Sequence, residues 1–126
     1  MEKFVINKKE NGEFQFDFID IKGKVILSSG GYTRKLMCIK GIESVKRNSQ
    51  DNINFFRKTS LNNETYFNLK AFNGKIIAVS KIYKDRFSRD KGIESLKKIA
   101  PNALIEDRSK QLIKMITSVS SYDMAV

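Results

Sequence analysis

The pentapeptide Lys-Gly-Ile-Glu-Ser occurs twice, at residues 40–44 and again 51 positions later at residues 91–95. Laid on itself at that offset, the chain matches at scattered places: Phe4 and Phe55, Asn11 and Asn62, Glu13 and Glu64, Phe16 and Phe67. The matches continue through Gly23-Lys24 and Gly74-Lys75, Ile26 and Ile77, Ser29 and Ser80, Tyr32 and Tyr83, and Lys46 and Lys97. Identity spread in this way marks a duplicated structural unit, so whatever one half forms the other forms again. A unit of this size alone buries only ~60% of its unfolded surface. Two units sharing one core is the economical solution. The 126 residues are therefore expected to make a single domain of two repeats, about 1–52 and 53–105, with a tail at 106–126 that has no counterpart.

Each repeat begins with strand signals. Phe4-Val5-Ile6 opens the first, and Asn11-Gly12 supplies a hairpin turn, because both residues tolerate positive φ. Phe14-Gln15-Phe16-Asp17-Phe18 alternates strictly. Three phenylalanines then face one way and Gln15 and Asp17 the other. Lys22-Gly23 turns the chain into Val25-Ile26-Leu27-Ser28. In the second repeat Phe55-Phe56 begins a strand, Asn62-Asn63 turns, and Thr65, Phe67, Leu69 and Ala71 alternate with Tyr66, Asn68 and Lys70. Asn73-Gly74 then leads into Ile76-Ile77-Ala78-Val79.

After each meander the period changes. Leu36, Ile39, Ile42 and Val45 recur every three residues, a helical stripe behind a Thr33 N-cap. Phe87, Ile93, Leu96 and Ala100 suit the buried side of a second helix capped by Asp85 and ended by Pro101-Asn102. Gly41 and Gly92 sit inside these helices, where glycine costs ~1 kcal/mol against alanine. Their recurrence implies a geometric need, either a close approach of the helix backbone or a bend. Leu104-Ile105 is expected to form a short closing strand, and Leu112, Met115, Ile116 and Val119 a short amphipathic helix.

The combined pattern is Phe-x-Phe strand, Gly-Lys turn, apolar strand, Ser-x-x-Tyr, helix, Gly-Ile-Glu-Ser-(Val/Leu)-Lys. It resembles the YegP-like family over about residues 4–105. Gly23-Lys24, Ser29, Tyr32 and Gly41 to Lys46 carry it in the first copy, and Gly74-Lys75, Ser80, Tyr83 and Gly92 to Lys97 in the second. The resemblance implies an α+β fold: a tandem repeat of β(3)-α units forming one antiparallel sheet with the helices packed on one side. It implies no assigned activity and no catalytic residue.

Composition bears on function mainly by exclusion. The chain has no histidine, hence no histidine base, Ser-His dyad or histidine metal ligand. No metal or other cofactor is expected. Cys38 lies in the first helix, and its equivalent, Arg89, has no matching chemistry, so packing is the reading favoured over a nucleophile. No apolar run reaches the ~18 residues of a membrane span. The opening Met1-Glu2-Lys3-Phe4 has no signal-peptide pattern, and one cysteine forms no internal disulfide. Together these lead to a cytoplasmic expectation.

The net charge is +10, distributed as +3 over residues 1–52, +7 over 53–105 and zero over the tail. A basic field attracts polyanions, though lysine-rich composition also serves solubility alone. Two surfaces are candidates for a binding role without catalysis. One is the basic face of the second helix, with Arg86, Arg89, Lys91, Lys97 and Lys98. The other is the sheet face left open by the helices, with Gln15, Tyr66, Asn68 and Lys70. Nucleic acid or an acidic protein is the expected partner. Self-association, as a homodimer, is the first alternative. An enzyme built on the paired carboxylates Glu43 and Glu94 is the second. Helix-surface pairing of those glutamates with Lys46, Arg47, Lys97 and Lys98 is the simpler account. Tyr32 and Tyr83 are expected to pack their rings while the hydroxyls reach water or backbone.

Overall fold

The computed structural model describes residues 1–109. The expected tail helix lies outside the described residues. Strands β1 (Lys3–Lys8), β2 (Phe14–Ile19) and β3 (Val25–Ser29) are followed by helix α1 (Lys35–Asn48). Strands β4 (Phe55–Thr59), β5 (Thr65–Lys70) and β6 (Ile76–Ser80) are followed by α2 (Arg86–Ile99). A short strand, β7 (Leu104–Asp107), follows. The fold is α+β with one seven-stranded sheet of order β4-β5-β6-β3-β2-β1-β7.

The two meanders meet at β3 and β6, which pair antiparallel with Leu27 opposite Ser80 and Ser29 opposite Ala78. Their second hairpins share the turn glycine but take their side-chain acceptor from different positions, Asp20 in the first and Asn73, the equivalent of Lys22, in the second. Gly23 and Gly74 take φ of +83° and +84°, values that glycine alone adopts without steric cost. Asp20 Oδ1 accepts from the N–H groups of Lys22 and Lys24, and Asn73 Oδ1 from that of Lys75. One expectation is corrected here: the sheet is not wholly antiparallel. β7 runs parallel to β1, with Lys3 opposite Leu104 and Ile6 opposite Asp107. Lys3 Nζ to Glu106 at 2.8 Å and Lys35 Nζ to Asp107 at 2.8 Å tie this strand to the first half.

One apolar cluster takes residues from both halves: Phe4, Phe16, Phe18 and Leu27 from the first meander, Phe55, Phe67 and Leu69 from the second. Cys38, Ile42 and Val45 from α1 and Ile93 and Leu96 from α2 close it, and α1 packs on β5 and β6 as well as β2. The phenylalanine face is thus covered, as alternation implies. The helical stripes extend less far than their periodicity predicts, since Leu36 is 61% exposed and Phe87 70%. A period fixes the angle of a side chain around a helix. It does not fix whether anything lies beneath that turn.

The helix starts also differ. Asp85 caps α2, its carboxylate accepting from Ser88 N at 2.7 Å. Thr33 does not cap α1, because the residue preceding the helix is Arg34, with no side-chain cap. Asp85→Ala should therefore lower stability by about 1 kcal/mol in urea denaturation, the usual cost of losing a cap. Thr33→Ala should stay within ~0.5 kcal/mol of the parent. Equal losses at the two positions would contradict this assignment.

Candidate binding surfaces

The residues shared by the two halves form a structural constellation. Ser29 Oγ accepts from Phe16 N at 3.0 Å, and Ser80 Oγ from Phe67 N at 2.9 Å. Each serine also donates to a carbonyl just after its strand, Gly30 O or Lys81 O. Three residues on, the chain bridges back to the start of the neighbouring strand, Tyr32 to Phe14 and Tyr83 to Thr65. This places the Tyr32 ring stacked beside Phe16 and the Tyr83 ring beside Phe67, with centroids 6.3 and 6.2 Å apart. The far edge of each ring abuts the helix at Gly41 or Gly92. The repeated glycines therefore make room for a tyrosine. Burial raises both phenols above their ordinary range, and Cys38 adds to this at Tyr32. The Tyr83 hydroxyl is buried and meets no backbone or side-chain partner among the described residues.

Residues proposed for chemistry are dispersed. Cys38 is fully buried, and burial, with Asp107 adding, pushes its thiol up to about 11, which keeps it neutral. Glu43 and Glu94 are both exposed. Glu94 makes the helix-surface pair with Lys97 at 3.7 Å, whereas Lys46 donates to Ala103 O at 2.8 Å instead of pairing with Glu43. Among the described residues there is no cluster of three or more metal-ligating side chains. No described helix is long and apolar enough to cross a membrane.

The basic helix face is narrower than its sequence implies. Arg89 is 6% exposed, at the position equivalent to buried Cys38, with its Nε 3.2 Å from Asp90. It belongs to the interior edge of α2. Asp90 is held below its ordinary range mainly by Arg57, whose Nε lies 2.9 Å away, with Arg89 adding. Lys97 donates to Asn52 Oδ1 at 2.7 Å, and Lys91 lies 5.0 Å over the Phe87 ring. Arg86 and Lys98 are exposed and, among the described residues, unpaired.

The sheet face opposite the helices is organised along one row. It is exposed at Phe56 and Val79 in the second half but buried at Val5 in the first, so the face expected to be open is open only in part. Phe56, Asn68, Val79, Ser28, Asp17, Val5 and Glu106 are successive register partners across all seven strands. Its two ends differ in chemistry. In the first half Asp17 accepts from Gln15 Nε2 at 2.6 Å, Ser28 Oγ at 2.6 Å and Asn7 Nδ2 at 3.2 Å, so Gln15 is engaged within a polar network. In the second half Asn68 is 8% exposed, and its Oδ1 meets no partner among the described residues. Around it stand Tyr66, Lys70, Phe56 and Lys58. Lys58 is opposite Tyr66, Phe56 is opposite Asn68, and the Lys70 ammonium lies 4.0 Å over the Phe56 ring. Sequence reading missed Phe56 and Lys58. The signal was present, since a core-facing Phe55 turns both outward by alternation.

The first-half equivalents of Phe56, Lys58, Tyr66 and Lys70 are Val5, Asn7, Gln15 and Ile19. The aromatic and cationic set thus belongs to one half only.

A family model described as a domain of unknown function, DUF1508, matches twice, at residues 10–53 and 60–107. A UPF0339 protein of Stutzerimonas stutzeri is 43% identical over 102 residues, covering 81% of this chain and 92% of the relative. The solution NMR structure of a UPF0339 protein from Shewanella oneidensis superposes with a TM-score of 0.81 at 35% identity. It covers 86% of this chain and 92% of that one. The solution structure of YegP from E. coli gives 0.80 at 36% identity, over 86% and 93%. The chain belongs to the YegP-like UPF0339 family and carries the DUF1508 match in both halves.

Proposed function

We propose that this protein is a binding module without a catalytic centre, built by duplication of a β(3)-α unit, and that its second half holds single-stranded nucleic acid on the open sheet face. The carrying observation is the interleaving of Phe56 and Tyr66 with Lys58 and Lys70 on adjacent strands of an uncovered face. Nucleobases stack on such rings, worth ~1–3 kcal/mol per base. The lysines supply counterion release on the phosphates. Lys70 already lies over Phe56, but a cation–π contact at an exposed site is worth only ~0.5–1 kcal/mol, so a base displaces it. The +7 charge of residues 53–105 supports the same half. A cytoplasmic setting fits this partner.

Fluorescence anisotropy of labelled single-stranded RNA and DNA and of duplexes, at several salt concentrations, tests the proposal. Single strands should bind more tightly than duplexes, with log affinity linear in log salt. The Lys58→Ala/Lys70→Ala variant should flatten that slope by about 1.4, near 0.7 for each of two phosphates released. Phe56→Ala and Tyr66→Ala should weaken binding at unchanged slope. A slope that responds only to Arg86→Ala and Lys98→Ala would move the site to the helix. Absence of binding at physiological salt would eliminate nucleic acid and favour an acidic protein.

A further inference from the structure

A second feature lies on the other side of the sheet and does not depend on the nucleic-acid reading. A part-open cavity of about 270 Å³ forms where α2 meets the first meander. This is just below the ~300–1,000 Å³ range of drug-sized ligand sites, which suits a smaller molecule. Phe18 and Ile26 from the first half and Leu96 from the second give it an apolar lining. Glu2 and Asp20 line it from the first half and Lys81 and Lys91 from the second, with the Lys91 ammonium over the Phe87 ring at its rim.

Comparison of the halves separates scaffold from acquired chemistry. Tyr83 and Gly92 in this wall repeat Tyr32 and Gly41 and belong to the shared constellation. Glu2, Asp20, Lys81 and Ser88 do not repeat: their equivalents are Ile53, Ala71, Gly30 and Met37. Four polar side chains converge on the cavity where the other half has apolar residues or none.

We propose that this cavity binds a small zwitterion of the amino-acid class with an apolar side chain. A ligand bearing only a carboxylate would be met by Lys81 and Lys91 but opposed by Asp20 and Glu2. One bearing only an ammonium group would face the reverse. A zwitterion matches both walls, and its apolar side chain covers Phe18, Ile26 and Leu96. Asp20 is prepared for the ammonium end. Its Oδ1 accepts both turn N–H groups, and Oδ2 is uncommitted among the described residues. The backbone bond from Lys24, then that from Lys22, and the charge of Lys81 hold this carboxyl below its ordinary range. Lys81 is held at the wall, its ammonium 5.1 Å from the Tyr83 ring centroid.

The test is a titration of the ¹⁵N-labelled full chain with L-leucine, and in parallel with 4-methylpentanoate and isoamylamine, which each keep one charge. L-leucine should move the backbone amides of Tyr83, Gly92 and Ser95 saturably. Each analogue should bind at least about tenfold more weakly, the worth of one charge-assisted hydrogen bond. Asp20→Asn, which keeps the Oδ1 acceptor of the turn, and Lys81→Met, which keeps the stem, should each weaken L-leucine by a similar factor. The proposal is overturned if L-leucine, L-methionine and L-phenylalanine all leave these amides unmoved. It is equally overturned if the single-charge analogues match L-leucine, or if both variants bind it as the parent does.

Discussion

Gly41→Ala and Gly92→Ala should each destabilise the protein by about 1–2 kcal/mol, although the same exchange in a free-standing helix stabilises by ~1 kcal/mol. The difference is the tyrosine. A Cβ at position 41 would lie 2.8 Å from Tyr32 Cζ and 3.1 Å from Phe16 Cε2, and closer still to the Tyr32 hydroxyl. At position 92 it would lie 2.7 Å from Tyr83 Cζ and 3.0 Å from Cε1. Neither ring is free to swing. Its backbone is pinned by a bridge to the neighbouring strand, and its face stacks on a buried phenylalanine. Overpacking of this kind costs ~1–3 kcal/mol and occasionally more, which outweighs the propensity gain. Urea denaturation of a double-mutant cycle isolates the cause. In a Tyr32→Ala background Gly41→Ala should turn neutral or stabilising, giving a coupling of at least ~1 kcal/mol. A higher melting temperature for Gly41→Ala in the parent background would refute the close-approach account.

The same constellation shows what was legible in the sequence. Alternation in Phe14 to Phe18 placed the core face correctly, because a strand has only two faces: Phe16 and Phe18 are buried on it and Phe14 packs against its edge, partly buried. The glycine pair implied either a close approach or a bend and did not choose between them, because the partner is nine residues upstream in each half and reaches the helix only through the bridge after the third strand. Local pattern does not encode such a contact. Arg89 misled because charge normally implies exposure. Its equivalence to Cys38, read as a packing residue, was the better indicator. The direction of β7 was beyond reach for a different reason. Leu104 and Ile105 favour a strand, but the edge that receives it is β1, about a hundred residues away. The candidate surfaces follow the same logic. The motif that identifies the family is occupied with holding the fold. Surface and cavity chemistry therefore has to be sought where the halves differ, a comparison that gains meaning only once the sheet shows which differing positions share a face.

Phe16→Ala and Phe67→Ala should each cost about 3–5 kcal/mol, the usual loss for a buried aromatic. Phe16 and Phe67 are both wholly buried. Phe16 meets Phe4 edge-on at 6.0 Å and stacks beside Tyr32. Phe67 meets Phe55 edge-on at 5.6 Å and stacks beside Tyr83. Truncation removes both partnerships and leaves a cavity, and the tyrosine loses the surface that holds it against the helix. The two losses should be similar, because the surroundings are equivalent. Domains of this kind have ~5–15 kcal/mol in total, so either variant forfeits a large share of it. The form of the transition carries as much information as its midpoint. Both phenylalanines belong to one cluster, to which α1 joins the strands of the other half. Weakening either half should therefore move a single transition, with far-UV circular dichroism and tyrosine fluorescence coinciding. Two separate transitions in Phe67→Ala, with the first half melting where the parent melts, would mean that the halves fold independently and that the shared core is not what stabilises them.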